Sequence, residues 1–199
     1  VAYGNGVYVI VGSGGAIQSS TDGVTWVNRT NPNTSFQMDS VAYGNGYFIA
    51  SGQLNLVNNP YDYGVYSTDG TTWTQAFNFN PGYFVGSQPD RVISAYGNGV
   101  YIVSDPGSSG FVRYATNPSS TWANTYRFAG SASGAPAIRT VYANGQFVSV
   151  TNTQRLTRST DGITWESYDS IANGVAANTF TGGITSFAFN SNVYVIAAD

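Results

Sequence analysis

The side chains able to do chemistry make a short inventory: ten carboxylates, seven cationic residues that are all arginine, and neutral hydroxyl, amide and aromatic groups. Histidine, cysteine and lysine are absent. Chemistry that needs an imidazole or a thiolate is therefore excluded, as are the usual zinc sites. What remains is carboxylate chemistry, with or without arginine. Cleaving a glycosidic bond by that route takes two carboxyl groups roughly 5–10 Å apart. Asp62, Asp90, Asp105 and Asp169 are candidates, but no spacing pairs them, and the single glutamate, Glu166, directly follows Trp165. Gly12-Ser13-Gly14-Gly15 has no helix behind it and no calcium-loop pattern occurs, so neither a cofactor nor a metal is expected.

Three other aspartates recur in one fixed setting. Ser20-Thr21-Asp22-Gly23-Val24-Thr25-Trp26 matches Ser67-Thr68-Asp69-Gly70-Thr71-Thr72-Trp73 and Ser159-Thr160-Asp161-Gly162-Ile163-Thr164-Trp165. A worn copy, Ala115-Thr116-Asn117-Pro118-Ser119-Ser120-Thr121-Trp122, stands between the second and the last. An aspartate here can accept hydrogen bonds from the backbone N–H groups of its own turn, while glycine takes up the left-handed conformation. Asp22, Asp69 and Asp161 are thus expected to hold turns rather than ligands. Trp26, Trp73, Trp122 and Trp165 are expected at equivalent, largely buried positions.

The elements that would position these residues come from a longer repeat. Ala2-Tyr3-Gly4-Asn5-Gly6 returns as Ala42-Tyr43-Gly44-Asn45-Gly46, as Ala95-Tyr96-Gly97-Asn98-Gly99, as Val141-Tyr142-Ala143-Asn144-Gly145 and, decayed, as Ala188-Phe189-Asn190-Ser191-Asn192. The aligned aromatics at 3, 43, 96, 142 and 189 are 40, 53, 46 and 47 residues apart, the length of a four-stranded propeller blade. An Asn-Gly step between short β-branched and aromatic runs is a strong hairpin signal, and Asp-Gly is a second. Each unit reads as strand, turn, strand, loop, strand, turn, strand; in the first unit the strands fall at about 1–3, 7–11, 16–20 and 25–28. No window carries a helical apolar period.

The expected fold is therefore all-β: a β-propeller of four-stranded antiparallel blades, with four complete repeats and a partial fifth. The repeats run 1–40, 41–93, 94–139, 140–185 and 186–199, within a single propeller domain or part of one. A fifth unit of two strands, and a start at Val1, suggest a piece of a longer propeller, with a compact ring ending in an irregular blade as the alternative. A chain of 199 residues, 42% of them apolar, can bury a substantial core. A net charge of −3 provides no basic footprint for nucleic acid, and no apolar run is long enough to span a membrane.

The Ser-Thr-Asp-Gly-x-Thr-Trp turns resemble the Asp-box, or bacterial neuraminidase repeat, of sialidase-like β-propellers, shortened by one residue between Asp and Gly. The whole unit also resembles repeats of large secreted bacterial proteins and of phage tail-associated proteins. That resemblance implies the propeller fold and an extracellular, cell-surface or virion location. The family's catalytic set is a three-arginine clamp, a tyrosine activated by glutamate and an acidic aspartate. The arginine-bearing motif near its N-terminus has no counterpart here, and Glu166 lies on an outer strand. The chain is accordingly expected not to be an enzyme.

The two short turns of each unit fall on one rim of such a blade, and the remaining connections fall on the other. The turns are nearly constant between units, whereas 12–15 in the first unit becomes 51–63 in the second and 104–110 in the third. Connections between units, at 29–39, 76–91, 125–138 and 168–184, differ as much. Constant turns maintain a scaffold, and variable loops carry binding sites. The candidate ligand-binding residues are Tyr61, Asp62, Tyr63, Tyr83, Arg91, Asp105, Tyr126 and Arg127, because aromatic faces beside Asp and Arg suit sugar rings as well as protein surfaces. Expected partners are a glycan or a cell-surface receptor, with other subunits of a tail or surface assembly also in view. A sialidase-like hydrolase and a structural spacer are the alternative readings.

Overall fold

A computed structural model describes residues 1–54, 61–79, 92–104, 111–127, 137–151, 156–168, 184–190 and 193–198. The described residues form four antiparallel four-stranded sheets in sequential order and one two-stranded hairpin. The first sheet holds β1 (Ala2–Gly4), β2 (Val7–Val11), β3 (Ile17–Ser20) and β4 (Val27–Arg29). The second holds β5 (Gln37–Gly44), β6 (Tyr47–Leu54), β7 (Tyr61–Ser67) and β8 (Thr74–Phe79). The third has β9 (Ile93–Gly97), β10 (Val100–Ser104), β11 (Phe111–Ala115) and β12 (Ala123–Arg127). The fourth has β13 (Ala137–Ala143), β14 (Gln146–Thr151), β15 (Leu156–Ser159) and β16 (Glu166–Tyr168), and the hairpin is β17 (Ile184–Asn190) with β18 (Val193–Ala198). The chain is an all-β propeller of the four-stranded-blade type. Apart from the strands, one 3-10 turn occurs at Ser13–Gly15.

The Asn-Gly turns are two-residue hairpins in which both central residues have positive φ, for example +48° at Asn5 and +76° at Gly6. Asn45, Asn98 and Asn144 repeat the conformation with φ of 43°, 49° and 50°. That geometry matches the twist of the flanking strands, which is why Asn-Gly is selected. It sets the register that places an aromatic pair directly opposite each other across the hairpin in each four-stranded blade: Tyr3 with Tyr8, Tyr43 with Phe48, Tyr96 with Tyr101 and Tyr142 with Phe147. Their ring centroids lie 4.4, 4.7, 4.6 and 4.9 Å apart.

The core sits between blades. Trp73 joins Phe48, Tyr63, Val9 and Ile17 between the first and second blades. Trp122 packs its ring edge on Phe77, with centroids 5.0 Å apart, in the cluster between the second and third. Trp165 closes the cluster between the third and fourth with Phe147 and Ile102. Each tryptophan therefore faces the blade before its own. Trp73, Trp122 and Trp165 are buried, but Trp26 is only half-buried, contrary to the expectation of four equivalent environments. No preceding blade covers its face among the described residues.

The repeat boundaries and the blades are offset. β5, β13 and β17 begin before residues 41, 140 and 186, where the sequence repeat begins. In all three the register slips at the same place, between Met38 and Ser40, Ala137 and Arg139, and Ile184 and Ser186. A bulge at this point bends the first strand of the blade and re-aims the side chain it carries.

Trp165→Ala should lower the unfolding free energy by about 3–5 kcal/mol in urea titrations. Trp26→Ala should cost less, because Trp26 is less buried than its three counterparts.

Candidate functional site

On the rim of constant turns, chemistry is committed to the backbone. Asp22 Oδ1 accepts from the N–H groups of Val24 (2.8 Å) and Thr25 (2.7 Å) and from the Ser20 hydroxyl (2.8 Å). Asp69 and Asp161 repeat the pattern, with Thr71 and Thr72 (2.7 and 2.8 Å) and with Ile163 and Thr164 (2.8 and 2.7 Å). The serine at the head of each turn also accepts from the glycine N–H. At Asp22 the Thr25 and Val24 N–H bonds hold the carboxyl far below the usual carboxylate range. At Asp69 and Asp161 partial burial pushes upward but is outweighed by the same kind of bonds, so both are lowered. In the worn third turn, Asn117 Oδ1 accepts instead from the Ser119 N–H and hydroxyl at 2.9 and 2.8 Å.

Two clefts open beside these turns. One of ≈300 Å³ lies between the first two blades and includes Asp22, Arg29 and Thr71; there Arg29 Nε donates to Ser19 Oγ at 2.8 Å. The other, of ≈280 Å³, occupies the equivalent place on the fourth blade, where Arg158 and Glu166 form an exposed ion pair at 3.1 Å. Sequence reasoning did not single out Arg29 or Arg158.

The candidate ligand-binding residues are expected on the opposite rim. Asp62 and Tyr63 were expected in an open loop, and here the structure differs. β6 continues to Leu54 and β7 starts at Tyr61, so both residues lie within a paired strand and are fully buried. Asp62 Oδ2 accepts from Arg113 Nη1 of the third blade at 3.0 Å, and the Arg113 guanidinium lies 4.3 Å from the centre of the Phe79 ring. Tyr63 stacks on Phe36 with centroids 4.3 Å apart, and burial pushes its phenol pKa up. The pair joins blades, and the tyrosine fills a core. Strand alternation explains both: a hairpin extended by paired residues turns Asp62 toward one neighbouring blade and Tyr63 toward the other.

Tyr61 is the first residue of β7, and Tyr126 and Arg127 end β12, so their backbones stand at this rim. Tyr83, Arg91 and Asp105 lie outside the described residues. Near the same rim the structure adds Asp39, which sequence reasoning missed. It occupies the β5 bulge, accepting from Gln37 Nε2 at 3.1 Å and from the Val92 N–H at 3.3 Å. Ser40, Ser51 and Ser94 continue this polar seam, with the Ser51 and Ser94 hydroxyls 2.6 Å apart. Arg139 is exposed on β13, at the corresponding bulge. Only the off-period step before Val41 could have signalled Asp39 beforehand. Among the described residues no three metal-ligating side chains converge, and no helix is long and apolar enough to cross a membrane.

No family model matches the chain, and no curated protein matches it by sequence. Solved structures do match. YCF48 bound to a D1 peptide is similar at 16% identity with a TM-score of 0.62, over 96% of this chain and 56% of that one. The computationally designed Ika8 protein is similar at 11% identity and a TM-score of 0.58, over 98% and 54%. YCF48 from Cyanidioschyzon merolae is similar at 16% identity and a TM-score of 0.53, over 99% and 62%. Such likeness shows the β-propeller fold, and the chain spans less than two thirds of the length of each of these three structures.

Asp62→Ala should act on stability, costing about 3–5 kcal/mol in urea unfolding, because it strands a buried guanidinium. Asp69→Ala should cost about 1 kcal/mol near neutral pH. A carboxyl lowered by folding stabilises above its unfolded pKa of about 3.9 and loses that contribution as the pH falls below it. The gap between wild type and Asp69→Ala should therefore shrink in unfolding titrations taken progressively below about pH 4.

Proposed function

We propose that this chain is a non-catalytic propeller of the sialidase-like Asp-box type, working outside the cell or on a virion surface and holding a glycan at its variable rim. One observation carries the reading: the repeated turns spend their carboxylates on their own backbone, which leaves recognition to the connections that differ between blades. Tyr61, Tyr126 and Arg127 stand at that rim, and Tyr83, Arg91 and Asp105 belong to the same connections by sequence. Tyrosine faces would stack on the C–H faces of a sugar, and the planar forks of Arg91 and Arg127 would bond hydroxyl or anionic groups.

The acids whose contacts are described support binding over hydrolysis. Asp62 is bonded to Arg113, Glu166 to Arg158, Asp39 to Gln37 and the Val92 N–H, and Asp22, Asp69 and Asp161 to their turns. YCF48, similar in fold, holds a D1 peptide, so a propeller of this shape can present a recognition surface without this chain sharing that ligand. A cell-surface protein as receptor is the alternative occupant of the same rim.

A glycan array probed with the whole chain tests the reading. Retention of one glycan class, lost in Tyr83→Ala and Arg127→Ala but kept in Asp69→Ala, is the expected result. Binding that survives both rim changes, or turnover of a sialoside at an ordinary enzymatic rate, would overturn it. Silence on the array with capture of a cell-surface protein would move the ligand from sugar to protein.

A further inference from the structure

The three seams between complete blades are built alike. Gly4, Gly44 and Gly97 end the first strands of their blades, and each lies flat under the aromatic ring of the next blade's Tyr43, Tyr96 or Tyr142; a methyl group on any of these glycines would overlap that ring. Polar bonds accompany the contact. At the first seam the Tyr43 hydroxyl donates to Asn5 Oδ1 at 2.6 Å, and Asn5 Nδ2 donates to the Thr68 carbonyl in the next blade's Asp turn at 3.0 Å. At the third, Asn98 Nδ2 reaches the Thr160 carbonyl at 3.2 Å.

The first blade carries the receiving half of this seam, and none of the described residues is seated on it. Tyr3, Tyr8 and Trp26 occupy the places of Tyr43, Phe48 and Trp73. Phe48 is fully buried and Trp73 nearly so, whereas Tyr3 is 57% exposed and Tyr8 and Trp26 are half-buried.

We propose that this aromatic face receives a further blade of the same repeat, one whose first strand ends in Tyr-Gly-Asn-Gly. The occupant follows by elimination. Within these residues the seam glycines are those of the first three units, and each already lies beneath the next blade's tyrosine. The fourth unit has Ala143 at that place, and the fifth has Asn190, whose register with Val193 matches that of Gly4 with Val7. Neither could lie under Tyr3 as glycine does, so the terminal hairpin does not close on the first blade through this seam. A second copy of the chain faces the same shortage.

Placing a copy of residues 37–93 directly ahead of Val1 tests the proposal, because Val1 then takes the repeat position of Ser94. Acrylamide quenching of Trp26 is read as the difference between the extended chain and its Trp26→Phe variant. The expected result is loss of that quenching, to the level of a buried tryptophan, together with amide-exchange protection of the added strands. The same extension carrying Gly44→Val in the added copy should leave Trp26 quenchable. Trp26 equally quenchable with and without the extension, or added strands left unprotected, would overturn the proposal. So would quenching of the unextended chain that falls with protein concentration, or on adding a glycan the chain retains, since either result gives the face another occupant.

Discussion

The close approach of glycine backbone to a tyrosine ring, repeated from blade to blade, is the constraint on which the rest of this structure depends. Sheets packed face to face normally stand about 10 Å apart, set by interdigitating side chains. Toward the inner end of these blades the first strands converge, and a residue without Cβ lets the next blade's ring lie on the main chain. The tight inner contact leaves the outer parts of each seam open enough for Trp73, Trp122 and Trp165. Glycine inside and tryptophan outside together form a wedge, and stacked wedges make a propeller.

Polar groups obey the same economy of space. Three aspartates hold their turns by accepting backbone N–H bonds that would otherwise go unmet where the chain reverses. Asp62 and Arg113 tie two blades together in an interior where neither charge would be tolerated alone. The serine seam of Ser40, Ser51 and Ser94 pairs main-chain and hydroxyl groups where β5 bulges against the start of β9. With these groups spent on architecture, the residues free to vary are those in the connections of the opposite rim.

Much of the fold is legible from the residues in order. Asn-Gly and Asp-Gly steps locate the turns, and the aromatic and tryptophan spacing gives the blade. The site is less legible. A stretch between two strands reads as a loop whether or not its residues pair, so Asp62 and Tyr63 pass for loop residues until the ladder from Leu54 to Tyr61 is seen. Asp39 leaves only the off-period step before Val41 as a sign, because a bulge adds one residue to a strand without any compositional mark. Trp26 shows the opposite failure: its motif is that of its three counterparts, and its exposure differs because burial is supplied by a neighbour.

The sequence by itself determined what depends on local conformation: the positive-φ turns, the carboxylate-to-amide bonds within them, the strand alternation and the repeat of the blade. These follow from steric preference and bonding over a few residues, which any copy of the motif carries with it. Only the tertiary structure decided which faces meet, that Asp62 pairs with Arg113 across fifty-one positions, and that one of four like tryptophans is less buried than the rest. Those facts depend on groups distant in the chain occupying the same space, and no local pattern encodes the presence of the partner.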